Sequence, residues 1–306
     1  MSTSTPSTPF TVKLPYFRDP DQLPCPLPTS EEIEAGTIIP TQRERILGDY
    51  GHVAIVKDHF VVKYGRYIRD NEGYALLFLE QYPLIPAPRL YAMYREDGIL
   101  YLVMQLLPGS DLLVLWDELS SNEKESICGQ LKEIFDQIRA IPSPGIFGSV
   151  TGGPVPHRFF GWRDKDPRIV GPFKTLEDFH LGMALHVQKQ EEYNDRHPWA
   201  AEWFARHLPP ALQDSPSTFS HCDLLKQNII VQKQPGDDGN QDRQFKVTGI
   251  IDWEMAGWYP RYWEYAAYFA DFLWDGDWAS KFETFIDPFP VEAALLRLVK
   301  YNLDGY

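Results

Sequence analysis

Asp223, Asn228 and Asp252 are the residues of this chain whose types and spacing best fit a chemical role. Asp223 and Asn228 stand in the pattern His-x-Asp-x-x-x-x-Asn, which begins at His221, and Asp252 follows further along the chain. Carboxylate and amide oxygens are hard donors that suit Mg²⁺, which takes few protein ligands and fills its other positions with water and phosphate oxygens. We therefore expect Asn228 and Asp252 to hold Mg²⁺, with the carboxylate of Asp223 nearby.

A predicted β-hairpin has to bring Asn228 and Asp252 together. Asn228 runs into Ile-Ile-Val, residues 233–244 are polar, and a second β-rich run at 245–251 ends at Asp252. Antiparallel pairing places the start of the first strand beside the end of the second. Alone, a His-x-Asp-x4-Asn string often arises by chance, and an Asp at a strand end is most often a turn former. The two motifs in this order, joined by a hairpin, are the stronger signal.

Both motifs resemble those of the aminoglycoside phosphotransferase and choline/ethanolamine kinase group, which are distant relatives of the protein kinases. The similarity rests on His221-Cys-Asp-x-x-x-x-Asn228 and Ile251-Asp-Trp-Glu254, and it continues through 256–265 as in many fungal members. The resemblance implies that Asp223 orients and deprotonates an acceptor hydroxyl and that Asn228 and Asp252 hold the metal on ATP. His221 is expected to brace this segment through hydrogen bonds. Cys222 replaces the usual small residue, which removes no catalytic group.

Upstream residues receive nucleotide-binding roles from the same resemblance. Residues 53–56 and 59–64 predict a β-hairpin with its turn at Lys57-Asp58. Lys63 on the second strand is implied to hold phosphate, and Glu72, at the start of a predicted helix, is implied to orient Lys63. Without the resemblance, Lys63 fits a solvated strand end and Glu72 a first-turn acid equally well. The implied hinge, whose backbone recognises adenine, comprises Met104, Gln105 and Leu106.

Two alternatives to an active small-molecule kinase stay open. The phosphate loop expected near residues 48–53 contains only Gly48 and Gly51, and Asp49 between them fits poorly beside phosphate. This favours a nucleotide-binding pseudokinase with a regulatory role. A protein kinase is the second alternative, although Asp-Trp-Glu stands where Asp-Phe-Gly would, and no Ala-Pro-Glu element follows at a useful distance.

The predicted fold class is α+β, a protein-kinase-like arrangement of two lobes. We expect a partly disordered N-terminal tail at 1–34, a small β-rich lobe at 35–107 that covers the nucleotide, and a larger, mainly helical lobe at 108–306. The most regular helix spans 120–141 and begins with a capping box at Ser120-x-x-Glu123. A helix at 200–207 is expected to stop at Pro209-Pro210.

Two aromatic segments of the larger lobe have open interpretations. Residues 145–173 are irregular and rich in glycine, proline and aromatic residues, and we expect them to line the acceptor site. The aromatic segment after Asp252 contains acids such as Glu264, Asp271 and Asp275 and could hold an organic cation, although aromatic core packing is the more common explanation.

Composition limits the classes of partner. The chain has 306 residues, 43% of them hydrophobic and 14% aromatic, which is enough for a two-lobed enzyme. Its net charge of −14 argues against nucleic acid or an anionic membrane as partner. No apolar run approaches the ~20 residues of a membrane span, and three cysteines without CxxC spacing fit neither a disulfide framework nor a zinc site.

The sequence therefore predicts an ATP- and Mg²⁺-dependent phosphotransferase that moves the γ-phosphoryl group to a hydroxyl of a small molecule. We expect a cytoplasmic location, because the N-terminus lacks a basic region followed by an apolar block. The sequence carries no prediction of the acceptor's identity or of the oligomeric state.

Overall fold

A computed structural model describes residues 10–40, 51–161, 164–235, 244–271 and 276–304. The predicted disordered residues 1–9, the loop at Gly48 and Asp49, and the tip of the second hairpin at 236–243 lie outside these ranges. Among the described residues, the strands form sheets of six, three and two members, and the longer helices follow the six-stranded sheet in the chain. The fold is mixed α+β, which confirms the predicted class.

The strands are β1 (Tyr16–Phe17), β2 (Thr37–Ile38), β3 (His52–Val56), β4 (Phe60–Gly65), β5 (Leu90–Glu96), β6 (Ile99–Gln105), β7 (Ser110–Asp111), β8 (Ser217–Ser220), β9 (Ile229–Lys233), β10 (Phe245–Ile250) and β11 (Gly257–Pro260). The helices are α1 (Ser30–Glu34), α2 (Asn71–Leu79), α3 (Leu112–Leu115), α4 (Ser121–Arg139), α5 (Pro167–Val170), α6 (Leu176–Tyr193), α7 (Trp199–Ala211), α8 (Trp263–Asp271), α9 (Trp278–Phe282) and α10 (Pro290–Leu303).

The six-stranded sheet is antiparallel, with strand order β1-β5-β6-β4-β3-β2. β3 and β4 form the predicted hairpin, and both residues of its turn, Lys57 and Asp58, have positive φ angles of 56° and 55°. Two-residue turns of this kind match the twist of the strands that they join. The register places Lys63 in the middle of the sheet, between Val53 and Leu102.

The N-terminal segment is attached to this sheet. β1 pairs with β5, so that Tyr16 lies opposite Met93. Arg18 donates from Nε to the carbonyl of Leu90 at 2.8 Å and forms an ion pair with Glu80, which follows α2. Part of the segment that was predicted as a tail therefore covers one edge of the sheet, which protects its unpaired backbone groups.

One face of the sheet carries a row of stacked rings. Tyr101 on β6 stacks on Tyr94 of β5 at 5.1 Å and on Tyr64 of β4 at 5.6 Å between ring centroids, and Phe17 of β1 stacks on Tyr94 at 5.5 Å. Such cross-strand aromatic pairs stabilise a sheet beyond simple area burial.

Tyr101→Ala is therefore expected to lower the free energy of unfolding by about 1 to 3 kcal/mol, because it removes two stacked pairs at once. Tyr101→Phe keeps both stacks and is the matched control, with an expected loss below about 0.5 kcal/mol. Urea unfolding followed by tryptophan fluorescence measures both values. Equal losses in the two variants would show that the hydroxyl, rather than the stacking, matters.

The C-terminal part is built around α4, α6, α7, α8 and α10, with Trp263 at the centre of an aromatic core. The indole of Trp263 lies 5.0 Å from the ring of Phe179 and 5.5 Å from that of Tyr259, between centroids. Four phenylalanines from the irregular segment at 145–173 are also buried: Phe147, Phe159, Phe160 and Phe173. These four rings of the predicted acceptor-lining segment therefore belong to the hydrophobic core, and Trp162 of the same segment lies outside the described residues.

Two helix predictions had different outcomes. α4 begins with the predicted capping box, in which Ser120 and Glu123 bond each other's backbone N–H. The prediction that a helix stops before Pro209-Pro210 was wrong, because α7 continues through both prolines to Ala211. The prolines lie in its last turn, where each removes one hydrogen bond to the fourth residue before it, but Leu212 still donates to Leu208 at 3.0 Å. None of the helices in the described ranges combines the length and apolar character that crossing a bilayer requires.

Candidate active site

Lys63 joins the two parts of the fold. Its ammonium lies 2.8 Å from Oε2 of Glu72, 2.7 Å from Oδ1 of Asp252 and 3.3 Å from Oε2 of Glu254. Lys63 comes from the middle of β4, Glu72 from the first turn of α2, and the other two acids from the segment that follows β10. We call these four residues the Lys63 network. It brings together positions that are 189 residues apart in the sequence.

The Lys63 network carries more negative than positive charge. Burial alone would lower the pKa of Lys63, but the attraction of Asp252, Glu72 and Glu254 raises it well above its usual value, so the amine is protonated. Burial also raises the pKa of Glu72 to about 7, against the opposing effect of Lys63. Three carboxylates thus gather around one ammonium, and carboxylate oxygens are the ligands that a hard divalent cation prefers.

The second hairpin places Asn228 and Asp252 at one end, as predicted. β9 and β10 pair so that Ile229 lies opposite Ile250, and Ile251 N–H donates to the carbonyl of Asn228 at 2.9 Å. The amide nitrogen of Asn228 donates to the backbone carbonyl of Asp223 at 2.8 Å and to its Oδ2 at 3.3 Å. Among the described residues, no hydrogen bond uses the amide oxygen of Asn228, which is therefore available to a ligand.

His221 connects the segment around Asp223 to Asp252. Its Nε2 lies 2.9 Å from the carbonyl of Ile251, and its Nδ1 accepts from Asp223 N–H at 3.1 Å. These partners fix a neutral ring with the proton on Nε2. Burial lowers the pKa of His221 to about 4, so the ring stays neutral near pH 7. With both nitrogens engaged, the geometry fits the predicted bracing role.

The backbone is left-handed at two residues of the site, Cys222 with φ of 69° and Asp252 with φ of 62°. Non-glycine residues rarely adopt this conformation, and it commonly occurs at functional sites. The thiol of Cys222 is buried, and burial raises its pKa well above the usual range. Cys222 is therefore a packing residue rather than a nucleophile.

Glu264 supports the site in a way that the sequence did not indicate. Its carboxylate accepts from His221 N–H at 2.7 Å and from Cys222 N–H at 3.1 Å, and the side chain is buried. Burial raises the pKa of Glu264 to about 7, although the two N–H bonds oppose the shift. The suggestion that Glu264 holds an organic cation is thus replaced by a role in holding the backbone before Asp223. Asp275 and the side chain of Asp271 lie outside the described residues.

Glu264→Gln should lower kcat about tenfold or more and the free energy of unfolding by about 1 to 3 kcal/mol, since an amide presents one acceptor to two N–H donors. Folding raises the pKa of Glu264 to about 7. The protonated side chain therefore contributes stability at pH values below its pKa in the unfolded chain, and this contribution is lost as the pH rises through about 7. The variant should therefore show a weaker fall in stability between pH 5 and pH 8. Urea titrations across this range, with exposed Glu202→Gln as control, test the prediction.

The predicted hinge residues lie at the end of β6, and the backbone donors of Gln105 and Leu106 are already engaged. Gln105 N–H donates to the carbonyl of Arg89 and Leu106 N–H to that of His59, each at 2.9 Å, while Met104 is buried. Within the described part of the chain, the N–H of Leu107 is the next backbone donor that no other backbone group uses. The hinge predicted from the sequence did not include Leu107. The adenine-binding role of Met104, Gln105 and Leu106 stays a prediction.

The structure therefore assembles two linked groups. Lys63 directly contacts Glu72 and Asp252, and also Glu254, to which the sequence analysis assigned no role. His221, Asp223 and Asn228 form a second group, joined to the first through Ile251. Gly48 and Asp49, which bear on the phosphate loop, lie outside the described residues.

Comparison with known proteins finds a family and solved structures that match most of the chain. A model of the phosphotransferase enzyme family matches residues 51–287. Among solved structures, the chain is similar to aminoglycoside phosphotransferase APH(3'')-Id from Streptomyces rimosus ATCC10970, at 17% identity over 85% of this chain and 95% of that one, with a TM-score of 0.42. A structure of the same protein in complex with ADP and streptomycin gives 18% identity, the same coverage and a TM-score of 0.44. No curated protein matches the chain.

Proposed function

The chain belongs to the phosphotransferase enzyme family, and from this premise we propose that it transfers the γ-phosphoryl group of ATP to a hydroxyl of a small molecule. The observation that supports the proposal most is the contact of Lys63 with both Glu72 and Asp252. Phosphoryl transfer asks the protein mainly to position its substrates and to neutralise phosphate charge. A lysine held between a helix and the predicted metal ligand supplies both.

Each residue of the site has a proposed role in that reaction. Asp223 accepts the proton of the acceptor hydroxyl as its oxygen bonds to the γ-phosphorus, and the bond to the β–γ bridging oxygen breaks to release ADP. Lys63 binds phosphate oxygens, and Glu72 keeps Lys63 in place. His221 holds the backbone of Asp223 without transferring protons, and the chain at 104–107 contacts the adenine.

The donors of the site fit a magnesium ion. The amide oxygen of Asn228 and the carboxylate of Asp252 lie at the same end of the second hairpin, and Asp252 is one of three carboxylates around the Lys63 ammonium. In the described ranges, no group of three His, Cys, Asp or Glu side chains has the arrangement of a metal site. With few protein ligands, as is usual for Mg²⁺, Asn228 and Asp252 would hold the ion together with phosphate oxygens. When bound, the ion neutralises charge on the phosphates.

Calorimetric titration with Mg-ATP, followed by a screen of hydroxylated compounds, tests the proposal. The screen uses ³¹P NMR or mass spectrometry to detect a phosphorylated product. It includes choline, ethanolamine and aminoglycosides, among them streptomycin, which the Streptomyces rimosus protein holds together with ADP. Binding followed by transfer to an acceptor supports the proposal, and absence of nucleotide binding contradicts it.

Binding without transfer to any acceptor would favour the alternative function, a regulatory pseudokinase. Asp49, an acid in the expected phosphate loop, is the observation that supports that alternative. The lobe boundary at residue 107, the cytoplasmic location and the fungal type of sequence stay predictions.

A further inference from the structure

Asn71 makes an unusual pair of contacts at the N-terminal end of α2. Its amide nitrogen donates to the backbone carbonyls of Glu254 and Ala256, at 2.9 Å in both cases. The two accepting residues are buried and belong to the segment that follows Asp252. A single side chain thus holds the backbone beside the predicted metal ligand against the helix that carries Glu72.

These contacts close a cycle with the Lys63 network. Asn71 holds the backbone of Glu254, the carboxylate of Glu254 contacts Lys63, and Lys63 contacts Glu72. Glu72 is the next residue after Asn71 in the chain, so the path returns to its start. The ion pairs alone fix the side-chain ends, whereas Asn71 fixes the distance between the backbone of α2 and the backbone that carries Asp252.

We propose that Asn71 is a positioning residue for nucleotide binding, which sets the spacing between Glu72 and the Asp252–Glu254 segment and thereby places Lys63. This inference rests on the proposed function. Asn71 touches neither nucleotide nor acceptor in this role. Its effect passes through Lys63, whose ammonium has to reach phosphate oxygens while three carboxylates hold it.

The chemistry of the contact explains why asparagine suits this position. A carboxamide nitrogen has two N–H groups, which match two carbonyl acceptors, and it carries no charge. Aspartate has the same shape but would direct a carboxylate at two carbonyls beside Glu72 and Glu254. Alanine would leave two backbone carbonyls without this donor.

The first experiment measures the affinity for Mg-ATP and the KM of the acceptor in Asn71→Ala and Asn71→Asp. Loss of two hydrogen bonds that hold the network should weaken Mg-ATP binding about tenfold to a hundredfold. The acceptor KM should change by less than about twofold, since Asn71 contacts only the Lys63 side of the site. Two matched controls should bind as the wild type does: Asp70→Ala, which loses a surface ion pair with Arg95, and Asn302→Ala, which loses an exposed amide contact.

A second measurement separates positioning from general stability. In a Lys63→Met background, Asn71→Ala should cause no further loss of Mg-ATP affinity, because the route through Lys63 is already absent. An equal fold-loss with and without Lys63 would overturn the proposal, as would unchanged affinity in Asn71→Ala.

A wild-type protein that binds no Mg-ATP would contradict the proposed function. In that case, unfolding experiments on the variants test whether Asn71 and Lys63 are coupled. If the cycle couples the two residues, the effect of the double variant Asn71→Ala/Lys63→Met on the unfolding equilibrium constant should differ about fivefold or more from the product of the two single effects. Additive effects would show that Asn71 does not act through Lys63. The failure of the proposed function and the failure of this inference are therefore distinguishable.

Discussion

Replacing Asp223 by asparagine is expected to lower kcat about a thousandfold, because the variant cannot accept the proton of the acceptor hydroxyl. The affinity for Mg-ATP should stay within about threefold of the wild type, since asparagine preserves the shape of the side chain. The loop should also keep its conformation, because the contacts of residue 223 with His221 and Asn228 include its backbone N–H and carbonyl. Steady-state kinetics with the acceptor found by the screen, together with calorimetry, measure both values.

Asp214→Asn is the matched control for this prediction. Asp214 is an exposed acid shortly before β8, the strand that leads into His221, and its replacement should leave kcat unchanged. Wild-type kcat in Asp223→Asn would remove Asp223 from the role of base. Loss of Mg-ATP affinity with little change in kcat at saturation would instead assign Asp223 to nucleotide binding.

The parts of the fold that the sequence predicted are those governed by local rules. The β3–β4 hairpin follows from two β-branched runs around Lys57-Asp58, and α4 follows from its apolar face and capping box. The second hairpin was predictable because Asn228 and Asp252 border the two β-rich runs directly. These signals need only a few neighbouring residues, so one sequence is enough to detect them.

The supporting residues of the site could not be predicted because their partners are backbone groups far away in the sequence. Glu264 binds the N–H groups of residues 221 and 222, and Asn71 binds carbonyls more than 180 residues later. Every residue has such groups, so the contact leaves no pattern of residue types in the chain. Leu107 became a candidate for adenine binding only when the hydrogen bonds of its neighbours were known.

The aromatic residues show a different limit of sequence reasoning. A phenylalanine in a glycine-rich irregular segment fits a ligand pocket and a hydrophobic core equally well, because both place the ring in an apolar environment. The four described phenylalanines of 145–173 are buried in the core around Trp263, and this depends on how α6 and β11 pack against the segment. The amino-acid composition of the segment does not indicate whether its rings face a ligand pocket or the core.

The Lys63 network contains three acids and one base, and this composition affects both the stability of the fold and the binding of a cation. Burying several carboxylates side by side is costly, because each loses hydration and repels the others. Here three carboxylates share one ammonium, and Glu72 responds with a raised pKa, which means that it is partly protonated near pH 7. A cation that binds during the reaction would offset this cost. Without such a cation, Lys63 offsets the charge of the three acids, so its replacement should have the largest effect on both binding and stability.

Lys63→Met is therefore expected to weaken Mg-ATP binding about a hundredfold and to lower the free energy of unfolding at pH 7.5 by about 3 to 5 kcal/mol. Methionine keeps the length of the side chain but leaves the acids Glu72 and Glu254, both nearly fully buried, without their cation. Lys189→Met is the control, because Lys189 and Asp164 form a partly exposed ion pair whose loss should cost less than about 1 kcal/mol.

The pH dependence of this loss identifies its cause. Burial already raises the pKa of Glu72 to about 7 with Lys63 present, and removal of the ammonium raises it further. A carboxyl whose pKa is raised on folding contributes stability below its unfolded pKa and loses that contribution as pH rises through its folded pKa. The deficit of Lys63→Met should therefore shrink as the pH falls from 7.5 to 5, and Glu72→Gln added to the variant should weaken this trend. Histidines such as His221 titrate in both proteins and cancel in the difference, so a deficit independent of pH would mean that lost packing, rather than unpaired charge, destabilises the variant.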